Sequence, residues 1–254
     1  MNRTFAIDFL PESARRFGPE CAVVAVDVIR ATTTAITALA TGRRCICVST
    51  AEEAFALRRR MPHALLAGEL AGETPPGFDI TNSPAEVGAR TDVNRPLILL
   101  SSSGTPLVRC AESAAAIYIA CFRNPSATAA HLAANHDRVG IVGAGSRNEF
   151  REEDQICCAW IGARLEEAGF VAADDRTAAI VARWRNADAR ACTVSNSVRY
   201  LTRSDQLRDL DFILARIDDV PQAFVARAGE IMPADLELPA TAAALTATLR
   251  YPIA

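Results

Sequence analysis

The chain predicts an α/β fold, a largely parallel sheet covered by helices and followed by a mainly helical segment. Three observations carry this. Strand-like and helix-like segments alternate through the first two-thirds of the 254 residues. Hydrophobic residues make up 50% of the chain, enough to bury a substantial core without disulfides or a structural metal. Every polar stretch able to do chemistry stands just after an apolar run, as expected where ligands bind at the carboxyl ends of strands in open α/β sheets. Those stretches are expected to converge on one edge of the sheet.

The elements follow in order. Thr4–Leu10 and Cys21–Val26 are strand-like. Arg30–Thr41 has helical length and stops at Gly42, a residue suited to the left-handed end of a helix. Arg44–Val48 is a short run rich in β-branched residues and cysteine. Thr50 opens a capping box with Glu53 ahead of a helix over Ala51–Met61. Further apolar strands are expected at Ala64–Ala67, Leu97–Leu100, Ala116–Cys121 and Val139–Val142. Ser83-Pro84, Thr105-Pro106 and Asn124-Pro125 each place a capping residue before proline, whose missing N–H would have no partner at that position anyway. Ser83 and Glu86 add a second capping box. From Glu153 to Arg203 the pattern turns helical, over Ile156–Ala168 (ended by Gly169), Asp174–Asn186 and Ser195–Leu201. A final strand pair is expected at Phe212–Arg216 and Gln222–Arg227. No internal repeat or low-complexity linker interrupts the chain, so one domain over 1–254 is expected, with a helical subregion at about 153–203.

Charge and composition exclude several classes of function. The net charge of −3, from 27 basic and 30 acidic residues, leaves no electrostatic footprint for nucleic acid. Arg58-Arg59-Arg60 is read as a solvated helix end. No apolar run approaches the roughly 20 residues needed to span a membrane. Met1-Asn2-Arg3-Thr4 does not begin a signal peptide, so a soluble cytoplasmic protein is expected. Association into a homo-oligomer is left open. None of the eight cysteines is spaced as C-x-x-C, and most lie in apolar runs as small reduced core residues. The three histidines match no zinc spacing.

Asp27 is expected to project from the end of a buried strand beside the start of the next helix. A carboxylate there can bind Mg²⁺, act as a nucleophile or cap the helix. Arg30 and the hydroxyls of Thr32, Thr33 and Thr34 stand close by, and a guanidinium matches a phosphate or carboxylate bidentately. Glu69 is a second strand-end carboxylate, followed by a glycine- and proline-rich loop over Leu70–Gly77 that could cover a ligand. Asn82 is either a ligand contact or an Asx turn. Ser101-Ser102-Ser103-Gly104-Thr105 looks like a phosphate cradle but lacks the ending of a P-loop. Arg123 and Asn124 follow another strand. Gly143-Ala144-Gly145 is too short for a dinucleotide fingerprint. Asp154, in the acidic first turn of a long helix, either binds metal or serves the helix dipole. Cys121 ends an apolar run with no histidine nearby and is expected to be a packing residue, not a nucleophile.

Taken together, Asp27-Val28-Ile29-Arg30-Ala31-Thr32-Thr33-Thr34, Gly68-Glu69, Phe78-Asp79 with Asn82-Ser83-Pro84, Ser103-Gly104-Thr105, Arg123-Asn124, and Glu153-Asp154 with Cys158-Ala159 resemble the 2-phosphosulfolactate phosphatase family. The resemblance runs roughly from Val24 to Leu201. It implies a three-layer α/β/α fold and a Mg²⁺-dependent phosphoric monoester hydrolase acting on small 2-hydroxy acid phosphates, notably 2-phosphosulfolactate on the route to coenzyme M. It also implies Mg²⁺ on Asp27, Glu69 and Asp154. The small anionic substrate would then be held by Arg30, Thr32, Asn82, Ser103, Gly104, Thr105, Arg123 and Asn124. The chain departs from the family pattern at Ser102-Ser103, at Thr81 and at Trp160, which bears on sulfolactate specificity. The alternative is a non-catalytic module that binds a small anionic metabolite.

Overall fold

Buried apolar runs become the strands. The computed structural model describes residues 3–146 and 149–236. The single-domain expectation over 1–254 and the remark on Met1 and Asn2 therefore reach outside the described residues. In chain order the elements are Thr4–Phe9 (β1), Ala22–Val26 (β2), Ala31–Ala40 (α1), Cys45–Val48 (β3), Ala51–Arg60 (α2), Leu65–Gly68 (β4) and Pro84–Ala89 (α3). Leu97–Leu100 (β5), Gly104–Cys110 (α4), Ala116–Ala120 (β6), Pro125–Asn135 (α5), Arg138–Gly143 (β7) and Glu152–Glu167 (α6) come next. The later elements are Val171–Ala172 (β8), Asp175–Trp184 (α7), Asn196–Arg203 (α8), Leu207–Leu214 (α9), Phe224–Arg227 (β9) and Glu230–Pro233 (β10). The strands β2, β4 and β5 are buried along their whole length, as parallel strands covered on both faces must be.

The strands form one sheet in the order β4-β5-β3-β10-β9-β6-β2-β7-β1-β8. One block (β4, β5, β3) is parallel, and so is the other (β6, β2, β7, β1, β8). Between them sits the hairpin β9–β10, antiparallel to its own partner and to both neighbours. An odd number of antiparallel pairings separates the blocks, so they run in opposite senses. The carboxyl ends thus do not share one edge of a uniformly parallel sheet. Gly104, just after β5, nevertheless lies against Asp27, just after β2, so carboxyl ends from the two blocks do come together.

Helices complete the three-layer α/β/α arrangement. The α5–α7 group packs side by side over β1 and β7, α2 lies on β3 and β5, and α3 joins α1 to α9. Two of the expected caps form as read: the Thr50 hydroxyl accepts the Glu53 N–H at 3.2 Å, and that of Ser83 accepts the Glu86 N–H at 3.1 Å. The other two proline-marked starts differ. The α4 helix begins at Gly104, before the Thr105-Pro106 pair, and the Asn124 side chain turns back to the strand it follows.

The chain from 212 to 216 is not a strand. Its first residues belong to α9, whose buried Asp209, Leu210 and Ile213 repeat at helical spacing. The expected strand at Gln222–Arg227 is present as β9, and its hairpin partner is β10. The pairing of the two-residue β8 with β1 interrupts the helical segment. Among the described residues no helix is long and apolar enough to cross a membrane.

One buried charge far from the strand ends sets a test of the fold. Arg43 is 1% exposed and donates to Asp92 at 2.8 Å and to the Arg95 carbonyl at 2.7 Å. Arg90, with Arg43 beside it, holds the Asp92 carboxyl well below the usual carboxylate range. A lowered folded-state value stabilises the protein above the unfolded value of about 4, and this contribution is lost as the pH falls through the folded value. Asp92→Asn should therefore cost about 2 kcal/mol at neutral pH, discounted for the partial exposure of the carboxylate, and weaken the acid dependence of stability. Urea melts of both proteins across the acid range measure this.

Candidate active site

The turn after β2 is built by its own hydroxyls. Thr32 Oγ1 accepts the Asp27 N–H at 3.0 Å and donates to the Asp27 carbonyl at 2.7 Å. The Thr33 hydroxyl donates to the Val28 carbonyl at 2.7 Å. That of Thr34 reaches the carbonyls of Arg30 at 3.1 Å and Asn82 at 2.6 Å. The three threonines are buried and committed to backbone, so they fix where Asp27 and Arg30 stand.

Asp27 is buried at the strand end. Its Oδ1 accepts the Ala31 N–H at 3.3 Å, while Oδ2 carries no hydrogen bond among the described residues. Burial pushes the carboxyl up to about 7; the Ala31 N–H opposes the rise, Glu69 and Glu153 add to it, and Arg30 draws it down. Gly104, at the start of α4, lies against this carboxylate. A Cβ there would stand 2.6 Å from Asp27 Oδ2 and 2.7 Å from the Ala31 Cβ, so only glycine admits the approach.

Asp154 brackets the same turn from α6. Its Oδ1 accepts the Val28 N–H at 2.9 Å and its Oδ2 the Gly145 N–H at 3.1 Å. Burial, then the charges of Asp27 and Glu153, push its carboxyl well up. Glu153, next to it, is 1% exposed, and its Oε2 is buried without a hydrogen-bond partner. Burial raises this carboxyl too, against the pull of Ser197, Ser195 and Arg151. Sequence alone assigns Glu153 no role of its own: it stands there only within the Glu153-Asp154 motif, and as an acid in a first helical turn, where acids commonly serve the helix dipole.

Glu69 supports loops. Its Oε1 accepts the Ser102 N–H at 2.6 Å, and its Oε2 accepts the Gly72 N–H at 2.7 Å and the Ser102 hydroxyl at 3.0 Å. Thr105 and Ser101 exchange reciprocal bonds, Thr105 Oγ1 donating to the Ser101 carbonyl at 2.9 Å and the Thr105 N–H donating to Ser101 Oγ at 3.0 Å. The Ser103 side chain makes no capping bond to α4.

The basic and amide residues divide into two groups. Arg30 is buried, and its Nη1 donates to Asp209 at 2.7 Å and to Gln206. Its Nε and Nη2 carry no hydrogen bond among the described residues. Asn82 is buried too, and its Nδ2 has none either. Arg123 is instead engaged at all three nitrogens, bidentate to Asp219 at 2.8 Å on both oxygens and donating from Nη1 to Thr37 at 3.0 Å. Asn124 is likewise spent, accepting the Cys121 N–H at 3.1 Å and donating to the carbonyls of Ile119 and Gln222, both at 3.3 Å. These two pin the end of β6 to the chain before β9. Cys121 is wholly buried, and burial pushes its thiol up to about 11, which fits a packing role.

Asp27 therefore lies against Gly104, and Asp154 ties down the turn that carries Asp27 and Arg30, with the charges of Glu69 and Glu153 acting on Asp27. Among the described residues no group of three His, Cys, Asp or Glu side chains is arranged to share one cation. Mg²⁺ usually takes only one or two protein carboxylates and keeps several waters. The orphaned Glu153 Oε2 and the unbonded Asp27 Oδ2, in a buried cluster whose acids raise one another, fit that requirement.

Fold and site together define a mostly parallel α/β protein with an acidic centre at its strand ends and a guanidinium beside it. The 2-phosphosulpholactate phosphatase family model matches residues 9–223, and the chain belongs to that family. It is 34% identical over 211 residues to "Probable 2-phosphosulfolactate phosphatase" of Deinococcus radiodurans, covering 81% of this chain and 86% of that one. A protein of the same name from Synechocystis is 29% identical over 215 residues, covering 80% and 89%. One from Pseudothermotoga lettingae is 38% identical over 159 residues, covering 63% and 67%.

Gly104→Ala tests the close approach at the centre. The added methyl must displace the Asp27 carboxylate or α1, so the variant should lose roughly 1–3 kcal/mol of stability. Denaturant midpoints of the two proteins decide this, and an unchanged midpoint would mean the approach is looser than described.

Proposed function

We propose that the protein is a Mg²⁺-dependent phosphatase that hydrolyses phosphate monoesters of small 2-hydroxy acids, with 2-phosphosulfolactate the leading substrate. Family membership supports the reaction class, and the names of the relatives supply the substrate. The observation that carries the reading is two buried residues of opposite charge on the turn after β2, Asp27 and Arg30, each with ligand-capable atoms that carry no hydrogen bond among the described residues.

In this reading Asp27 and Glu153 hold the metal, and Asp154 and Glu69, also candidates for it, keep the surrounding turns in place. Bound there, Mg²⁺ supplies positive charge to the phosphoryl oxygens and a template for in-line displacement. Arg30 presents its unbonded Nε and Nη2 to the phosphate or to the carboxylate or sulfonate of the substrate. Asn82 Nδ2 and the Ser103 hydroxyl are further donors to the same anion. Glu69 and Tyr200, which donates to the Gly72 carbonyl, tether the loop beyond β4 beside the centre and help exclude bulk water. Arg123, Asn124, Thr32 and Thr105 act through the backbone they fix. Eight unpaired cysteines suit a reducing compartment, so we place the protein in the cytoplasm.

Assay of a panel of 2-phospho-hydroxy acids with and without Mg²⁺ tests the proposal. Turnover that requires Mg²⁺ is expected. Binding of these anions without turnover would favour a metabolite-binding module.

Asp27→Asn should lower the Mg²⁺-dependent rate by at least ~100-fold, the scale of removing one electrostatic stabiliser of a transition state; an intact rate would remove Asp27 from the mechanism. Cys121→Ala should keep the rate within a few-fold and lose roughly 1 kcal/mol in a melt. A folded but inactive Cys121→Ala protein would point to a thiolate nucleophile instead.

A further inference from the structure

We infer that Asp209 is a positioning residue for Arg30, setting from α9 the orientation in which the guanidinium meets the anion of the substrate. The inference rests on the proposal that Arg30 binds that anion.

Asp209 is completely buried in the first turn of α9. One of its oxygens, Oδ2, accepts Arg30 Nη1 at 2.7 Å. The other, Oδ1, accepts the Ala85 N–H at 3.2 Å and the Ser83 hydroxyl. Both oxygens are therefore engaged, and the carboxylate cannot rotate without breaking bonds to α3. Gln206, at the N-cap of α9, accepts from the same Arg30 nitrogen. The guanidinium is thus gripped at one nitrogen by two side chains, while Nε and Nη2 carry no hydrogen bond among the described residues.

The grip lies 179 residues from Arg30 in sequence. A simple cross-link between α9 and the β2–α1 turn would need no ions, since a buried ion pair gains little over well-packed apolar side chains. The guanidinium is planar, so fixing one nitrogen and its plane fixes the direction of the other donors. Arg30 stands three residues after Asp27 on the same turn, and Asp27 Oδ1 accepts the N–H of Ala31, the residue that follows Arg30, which places the oriented group beside the acidic centre. Asp209 holds Arg30 aimed without touching the ligand.

The test is a double-mutant cycle of Arg30→Ala and Asp209→Asn, read as KM and kcat for 2-phospholactate with Mg²⁺ and as calorimetric Kd for inorganic phosphate. Asp209→Asn should raise KM and the phosphate Kd by about tenfold or more, the scale of a lost hydrogen bond to a charged group, with a smaller change in kcat. In the Arg30→Ala background the same substitution should add nothing to KM or Kd. Melting curves establish folding. If Asp209→Asn does not fold, Ser83→Ala replaces it in the cycle, with a few-fold rise expected in place of the tenfold one. Unchanged constants, or losses that persist in the Arg30→Ala background, overturn the inference and leave Asp209 a structural cross-link. A wild-type protein that neither hydrolyses the ester nor binds phosphate overturns the reading of the site, and the inference with it. Wild-type activity with a silent Asp209 variant overturns the inference alone.

Discussion

The Asp154 carboxylate joins three parts of the chain by satisfying two backbone N–H groups that have no other partner among the described residues. Its oxygens take the amides of Val28 in the turn after β2 and Gly145 after β7, while its own backbone opens α6. A buried donor left unpaired is costly, so both turns must stay where the carboxylate is. The position of Asp27 follows from that anchoring and from the hydroxyl of Thr32. The position of Arg30 follows from the same turn and from Asp209. The acidic centre is thus less a set of independent side chains than a set of turns tied together around Asp27.

That construction explains how the polar residues divide their labour. Hydroxyls and amides with both hydrogen-bonding functions committed, such as Thr32, Thr105 and Asn124, define geometry. Atoms left uncommitted, on Asp27, Arg30, Asn82 and Glu153, are those able to meet a ligand. Arg123 shows that residue type alone does not decide between these roles. Its guanidinium is as well suited to phosphate as that of Arg30, yet Asp219 and Thr37 engage every one of its three nitrogens.

Local physics was legible in the sequence. Thr50 and Ser83 announced their helices because an N-cap is settled within four residues, and the strands announced themselves because parallel strands buried on both faces are continuously apolar. Asp27 stood out because a carboxylate directly after such a strand must find donors or a ligand. Long-range pairing was not legible. The segment around Phe212 has the composition of a strand, but its Leu210 and Ile213 bury at helical spacing. The short β10, ending at Pro233, carries too weak a pattern to announce its place at the centre of the sheet. The opposite senses of the two blocks depend on that hairpin, so they stayed hidden with it. The carboxylate partners of Arg30 and Arg123, Asp209 and Asp219, lie in the last third of the described chain, beyond the reach of any local motif.

The central position of the β9–β10 hairpin has a consequence for biosynthesis. The ribosome delivers residues 224–233 after every other strand of the described residues, yet these residues fill the middle of the sheet. Until they emerge, β3 and β6 have nothing between them and present bare hydrogen-bonding edges. Such edges are templates for pairing with other chains. The nascent protein therefore exists first as two half-sheets awaiting a late insert. Its most aggregation-exposed period is the interval between completion of the second block and arrival of the hairpin, a stage at which a chaperone acting on the emerging chain would matter most.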